Sequence, residues 1–242
     1  MKIFSIILLY SLWLIIPAQV FAGDAKDLLM GAVVKSDRWT VNRKNNTENF
    51  RGNVSFKNPD YSLKADEAIY FHNNKTWKLY NRVYAQKKLD KGASVELWCG
   101  RASFKEIQET AELWRSTQPI MMKYKSENGV IDGFTDKINA DNKDRKMVFV
   151  GNLYLTTENI NIFSSQGTYF HDTDNFLLHD TNPSTGGMPM TAGKREGYNF
   201  ALKAETMDFY KETRDLKCKK NVIGWVKDIP YLEDFAPSRS IK

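Results

Sequence analysis

The residues able to do chemistry are few. The chain holds three histidines, His72, His171 and His179, and two cysteines, Cys99 and Cys218. A transition-metal site needs His, Cys or carboxylate ligands converging at a known spacing, and the sequence has no HExxH and no paired CxxC. His72 and His171 fall instead at equivalent polar turns of a repeat described below. No GxSxG or Cys/His signature marks a nucleophile, and no glycine-rich phosphate loop precedes a helix. Acids on adjacent coils of a solenoid can meet as a glycosidase pair. Asp66 and Glu205, however, occupy equivalent repeat positions, as solvent-facing structural residues do. Neither catalysis, a cofactor nor a metal is expected.

The cysteines are read through the compartment. Lys2 precedes an apolar run from Ile3 to Ile16, followed by Pro17 and the ending Val20-Phe21-Ala22 before Gly23, which reads as a cleavable secretory signal over residues 1–22. The run is short for a membrane span of roughly 20 residues, an uncleaved anchor being the alternative. A mature chain starting near Gly23 is expected in a periplasm or outside the cell. There one Cys99–Cys218 disulfide is permitted, with a pair of unbridged buried thiols as the alternative.

Composition bounds the rest. The 242 residues carry 13% aromatics and 42% hydrophobics, a balance that fits a strand-rich soluble protein better than a helical bundle. The formal charge of +6 points to an anionic partner, but acids and bases are interspersed, and no nucleic-acid partner is expected.

The elements that position these residues come from a duplication. FRGNVSFKNPDYSLKADEAIYFHNNKTWKL, Phe50 to Leu79, recurs without a gap as FVGNLYLTTENINIFSSQGTYFHDTDNFLL, Phe149 to Leu178. The register extends backward, Asp37 and Trp39 falling on Asp136 and Ile138, so the unit runs over about 36–79 and 135–178. A third copy over 201–226 begins with Ala201 to Cys218, which overlays Ser62 to Leu79; a fainter one places Ala102 and Phe104 where Ala68 and Tyr70 stand. Within a unit, Phe50, Gly52, Val54 and Phe56 share one strand face, and Tyr61, Leu63 and Ala65 the face of the next, with Lys64 and Asp66 turned away. A bulge or bend after Asp66 is expected from the parity. Phe104 to Trp114 suits a strand-turn-strand or a short helix, and the strand reading agrees with its surroundings. Asp180 to Gly197, rich in Gly and Pro, reads as a long loop, and 236–242 as a disordered tail. A single all-β domain over 23–235 is expected.

The pattern Phe50-Arg-Gly-Asn-Val-Ser-Phe followed by Leu63-Lys-Ala-Asp-Glu-Ala-Ile-Tyr, recurring as Phe149-Val-Gly-Asn-Leu and Leu202-Lys-Ala-Glu, resembles the OstA-like family of lipopolysaccharide-transport proteins. The resemblance implies an incompletely closed β-jelly roll, a twisted sheet folded over an apolar interior, and the stacking of one-faced units agrees with it. It implies a periplasmic carrier or bridge that shields acyl chains of lipopolysaccharide (lipid A). Its edge strands, near Trp39 to Val41 and Val222 to Val226, would join other jelly-roll transport proteins or a second copy head to tail. Candidate groove residues are Trp39, Val41, Phe50, Val54, Phe56, Leu63, Phe149, Leu153, Leu155, Ile162 and Leu202. Candidate phosphate contacts are Lys64, Lys203, Lys217, Lys219 and Lys220. The alternatives are a secreted β-solenoid that binds or cleaves a glycan, and a structural periplasmic protein.

Overall fold

The computed structural model describes residues 33–57, 59, 61–180, 187–195 and 197–228; the expected signal segment 1–22, residues 23–32 and the expected tail at 236–242 lie outside the described residues. Its strands all belong to one antiparallel, 18-stranded sheet. They are β1 (Val33–Lys35), β2 (Arg38–Asn42), β3 (Thr47–Lys57), β4 (Tyr61–Phe71), β5 (Thr76–Lys88) and β6 (Ser94–Lys105). Next come β7 (Thr110–Trp114), β8 (Ile120–Ser126), β9 (Gly129–Thr135), β10 (Lys137–Asp141), β11 (Lys146–Thr156) and β12 (Ile160–Phe170). The last six are β13 (Asn175–His179), β14 (Met190–Arg195), β15 (Tyr198–Lys203), β16 (Thr206–Tyr210), β17 (Leu216–Lys219) and β18 (Ile223–Asp228).

The sheet is folded over on itself along a corner. The long strands β3, β4, β5 and β11 each shift register at mid-length, between Arg51 and Val54, Lys64 and Glu67, Tyr80 and Val83, and Val150 and Leu153. β6 and β12 likewise change partners there, pairing with β7 and β13 on one side and with β8 and β14 on the other. The shorter strands are halves of the same kind of crossing: β1/β2, β7/β8, β9/β10, β13/β14, β15/β16 and β17/β18. The chain thus zigzags through twelve crossings between a first layer (β2, β7, β10, β13, β16, β17 and half of each long strand) and a second (β1, β8, β9, β14, β15, β18 and the other halves).

The duplicated Gly-Asn pair makes the corner. Gly52 and Asn53 both have positive φ, as do Gly151 and Asn152, a conformation that glycine and asparagine adopt at least cost. The Asn53 side-chain amide donates to Asp37 Oδ2 at 2.9 Å and that of Asn152 to Asp136 Oδ2 at 2.8 Å. A Cβ on either glycine would overlap the same carboxylate. Arg82 on Asp66 and Asn221 on Glu205 repeat the arrangement, each donor sixteen residues after its acid. Asp66 and Glu205 are therefore corner acids, each occupied by a neighbouring crossing.

Phe104 to Trp114 forms the strand-turn-strand of β6 and β7, and Ala102 stands beside Leu79 as Ala68 does. The expected loop over Asp180–Gly197 is corrected. Met190–Arg195 is a strand, β14, paired with both β12 and β15. Gly193 allows it, because a Cβ there would overlap the Asn159 carbonyl of the adjoining turn; the composition that looks like a loop serves close backbone approach. Residues 181–186 and 196 of that segment lie outside the described residues.

Among the described strands neither end of the sheet is closed. β1 and β2 pair only with β3, β17 only with β16 and β18 only with β15 among the described strands, so the fold is an open roll with an edge at each end.

Candidate functional site

Period-2 alternation makes one face of each strand apolar, and the registers join these faces into rows. In the first layer, Trp39, Phe50, Ala68, Leu79, Ala102, Leu113, Ile138, Phe149, Gly167, Leu178, Met207 and Cys218 stand side by side across all twelve crossings. The second layer has its own row from Val34 through Phe56, Leu63, Ala85, Leu97, Met122, Gly133, Leu155 and Ile162 to Thr191, Leu202 and Gly224. The two rows face one another. Phe56 of the second layer meets Trp77 of the first edge-on, with ring centroids 5.1 Å apart, and one apolar cluster takes in side chains from Phe50 to Phe209.

Of the candidate groove residues, Phe50, Val54, Phe56, Phe149, Leu153, Leu155 and Ile162 are buried in this interior, and Leu63 and Leu202 are half-buried against it. Trp39 and Val41 lie elsewhere: they are 61% and 55% exposed on the edge strand β2. Trp39 stacks on Phe50, so the interior row continues past the last covered crossing and ends in the open. At the far edge Val222, Ile223, Trp225 and Val226 are also exposed, Val222 and Val226 sharing the inward parity of Gly224 and the other two facing out.

The lysines take a different place from the one expected of phosphate contacts in a groove. Lys64 and Lys203 adjoin the inward Leu63 and Leu202, and alternation turns them to the outer face of the second layer. Lys217 and Lys219 flank the interior Cys218 and so point out of the first layer, where the Lys219 ammonium already pairs with Asp208 at 2.7 Å. Lys220 is in the corner, at positive φ.

Both cysteines are free thiols, so the permitted disulfide is absent. Cys99 sits opposite Val83 on β6 and Cys218 opposite Met207 on β17, strands many crossings apart. Burial pushes the Cys99 thiol up to about 12, which makes it inert.

Opposite the corner, the rims of the two layers meet along a seam. In the C-terminal half the seam is tied by a polar latch. Lys211, buried in the turn after β16, pairs with Asp174 at 2.9 Å and Glu212 at 3.3 Å, its ammonium 4.6 Å from the centre of the Tyr124 ring. From the second layer, the Tyr124 hydroxyl donates to Glu212 Oε1 at 2.7 Å and the Asn128 amide to Glu212 Oε2 at 3.1 Å. Arg214 Nη2 returns a hydrogen bond to the Asn128 carbonyl at 3.2 Å. Burial and the adjacent Glu212 carboxylate raise the Tyr124 phenol well above its ordinary value. Burial opposes the charges of Asp174 and Glu212, but hydrogen bonds from Tyr169 and Lys211 to the first, and from Tyr124 and the nearby Lys211 to the second, hold both below the usual carboxylate range. Beside the latch a cleft of about 450 Å³ is lined by the β8–β9 and β11–β12 turns, Lys194, Gly197, Thr213 and Arg214.

His72 and His171 stay in turns, and His179 ends β13. His72 contacts Glu48 at 2.8 Å and His171 contacts Arg145 at 2.8 Å, and among the described residues no three His, Cys, Asp or Glu side chains gather as metal ligands would. Sequence reasoning met the corner at one crossing, as the bulge or bend expected after Asp66, where β4 shifts register between Lys64 and Glu67; it missed the corner elsewhere and missed the latch. The corner had a signal, an acid followed sixteen residues on by Asn or Arg. The latch had none, because its partners stand 84 to 88 residues apart.

Residues 33–175, more than half of the chain, match the family model described as LptA/(LptD N-terminal domain) LPS transport protein. Among solved structures the chain is similar to LptH, the LptA-homologous periplasmic component of the conserved lipopolysaccharide transport device of Pseudomonas aeruginosa. That likeness has 12% identity and a TM-score of 0.27, over 63% of this chain and 85% of the other. No curated protein sequence matches the chain.

Proposed function

Because the chain belongs to the family of LptA and the LptD N-terminal domain, the lipopolysaccharide transport proteins, we propose that it carries lipopolysaccharide through the periplasm with the acyl chains in its apolar interior. The observation that carries this reading is the first-layer row, apolar or glycine at every one of twelve crossings and ending at the edge in the exposed Trp39. An ordinary core needs to be covered at its ends; a conduit needs to continue. Each acyl methylene moved from water into such an interior gains about 0.8 kcal/mol, while the sugar and phosphate groups stay outside the seam.

The two open edges supply the partners. β1 and β2 at one end and β17 and β18 at the other offer unpaired backbone together with exposed apolar side chains, the combination that strand addition uses. Another jelly roll of the transport system, or a second copy head to tail, would extend both layers and prolong the interior rows. Movement along such a bridge requires no chemistry from this chain. The rival reading, a glycan-cleaving solenoid, needs two acids facing a common substrate, whereas Asp66 and Glu205 are each engaged by a corner partner.

Mass spectrometry of lipid extracted from the protein purified from its native envelope tests the reading. Co-purified lipid A species are the expected result. A folded protein that carries none, and takes up none when lipopolysaccharide is added, would overturn it.

A further inference from the structure

The cleft beside the latch has the chemistry of an amphiphile's polar boundary. Its lining includes the exposed Val130 and the half-buried Ile160, which packs against the apolar core. Its walls carry Lys194 and Arg214, cations from opposite rims, with Glu158 as a carboxylate on the same wall as Ile160. Lys194 forms no ion pair with any described residue, its backbone being fixed instead by a hydrogen bond to the Asn159 carbonyl at 2.9 Å.

Arg214 is the informative residue. Its left-handed backbone, φ 61, is the ordinary close of a hairpin turn here, shared with Asn46, Lys75, Glu109, Arg145 and Asp174; the side chain is what sets it apart. One guanidinium nitrogen reaches across the seam to Asn128, while Nη1 is buried without a hydrogen-bond partner. The nearby Glu212 is already engaged by Tyr124, Asn128 and Lys211. A buried donor left unmade is costly, and the planar fork of arginine is complemented best by an oxyanion such as phosphate.

We propose that this cleft binds the phosphate of the glycolipid headgroup, with Arg214 as directional donor and Lys194 as a point charge, at the place where the acyl chains enter the interior. The assignment rests on the transport reading above and deepens it. It moves the phosphate contact from the outward lysines, which alternation keeps away from the interior, to two cations on the seam.

The test compares binding of bisphosphorylated lipid A and of the same lipid chemically dephosphorylated, in matched detergent micelles, by calorimetry. The wild-type chain should prefer the phosphorylated lipid, and Arg214→Gln should weaken that lipid about tenfold while leaving the dephosphorylated one unchanged, as expected for loss of one charge-assisted contact. Lys194→Gln gives a second reading should the arginine variant fail to fold, and Lys78→Gln on the outer face serves as control. Equal binding of both lipids by wild type, with no effect of either variant, would overturn the phosphate site and leave the transport reading standing. Binding of neither lipid would overturn both. Inorganic phosphate that competes at the lipid's own concentration would show a free-anion site and overturn the headgroup assignment.

Discussion

The two copies of the repeat share strands, corners and register, yet their equivalent side chains live in different surroundings. Ile138 is 1% exposed between β7 and β11, while its counterpart Trp39 is 61% exposed on β2, which has a neighbour on one side only. Phe149 and Phe50 follow the same trend. One sequence position therefore serves as core in the middle of the stack and as an uncovered apolar end at its edge. Place among the crossings, rather than residue type, decides which.

The sharpest way to break this comparison is to charge both members of the pair. Ile138→Asp puts a carboxylate in the middle of the interior and should cost about 3–5 kcal/mol, enough to unfold the domain. Trp39→Asp should leave the melting temperature nearly unchanged but abolish end-to-end association, seen by analytical ultracentrifugation. Equal destabilisation by the two would deny the difference between centre and edge.

A second contrast concerns how each copy fills the space beneath the corner. The first copy has Ala68 and Val54 where the second has Gly167 and Leu153, and a Cβ on Gly167 would overlap the Leu153 side chain. Gly167→Ala should destabilise by about 1–3 kcal/mol through overpacking. Adding Leu153→Val recreates the first copy's combination and should recover most of the loss, a positive coupling in a double-mutant cycle followed by urea denaturation.

The corners should rank next. Asn152→Ala removes the hydrogen bond to Asp136 and places alanine at positive φ; about 1–2 kcal/mol is expected. Asn152→Gly loses the bond but keeps the conformation and should cost less. The same changes at Asn53, nearer the edge, should have smaller effects.

The smallest effect is the response of the latch to acid. Asp174 and Glu212 have folded-state values below their unfolded ones, so their contribution is complete above the ordinary carboxylate range and is lost as pH falls through the lowered values. Hydrogen exchange in the turn after β16 should accelerate there, while the turn between β6 and β7, which lacks these two acids, should change less.

Much of the fold was legible because alternation and an ungapped duplication are local signals. Phe50, Val54, Phe56 and Leu63 declare their face by parity, and the copy at Phe149 to Ile162 repeats it. The first and last strands of a stack are its edges, so the edge places of Trp39 to Val41 and Val222 to Val226 were legible. Parity does not say how far an edge side chain is covered, which is why Trp39 and Val41 also read as lining like Phe50. β14 was hidden because glycine and proline signal turns, while here Gly193 makes room for a neighbouring carbonyl. The latch and the cleft join residues from five hairpins, and no local pattern records such a meeting.

The central claim is that the inward face holds acyl chain and the outward face does not, and strand alternation offers a direct test within adjacent residues. A photo-crosslinking phenylalanine analogue placed at Leu63 or Leu202 should capture lipopolysaccharide on irradiation, whereas the same group at Lys64 or Lys203 should capture none. Equal capture at inward and outward positions, or capture only at the lysines, would contradict the account.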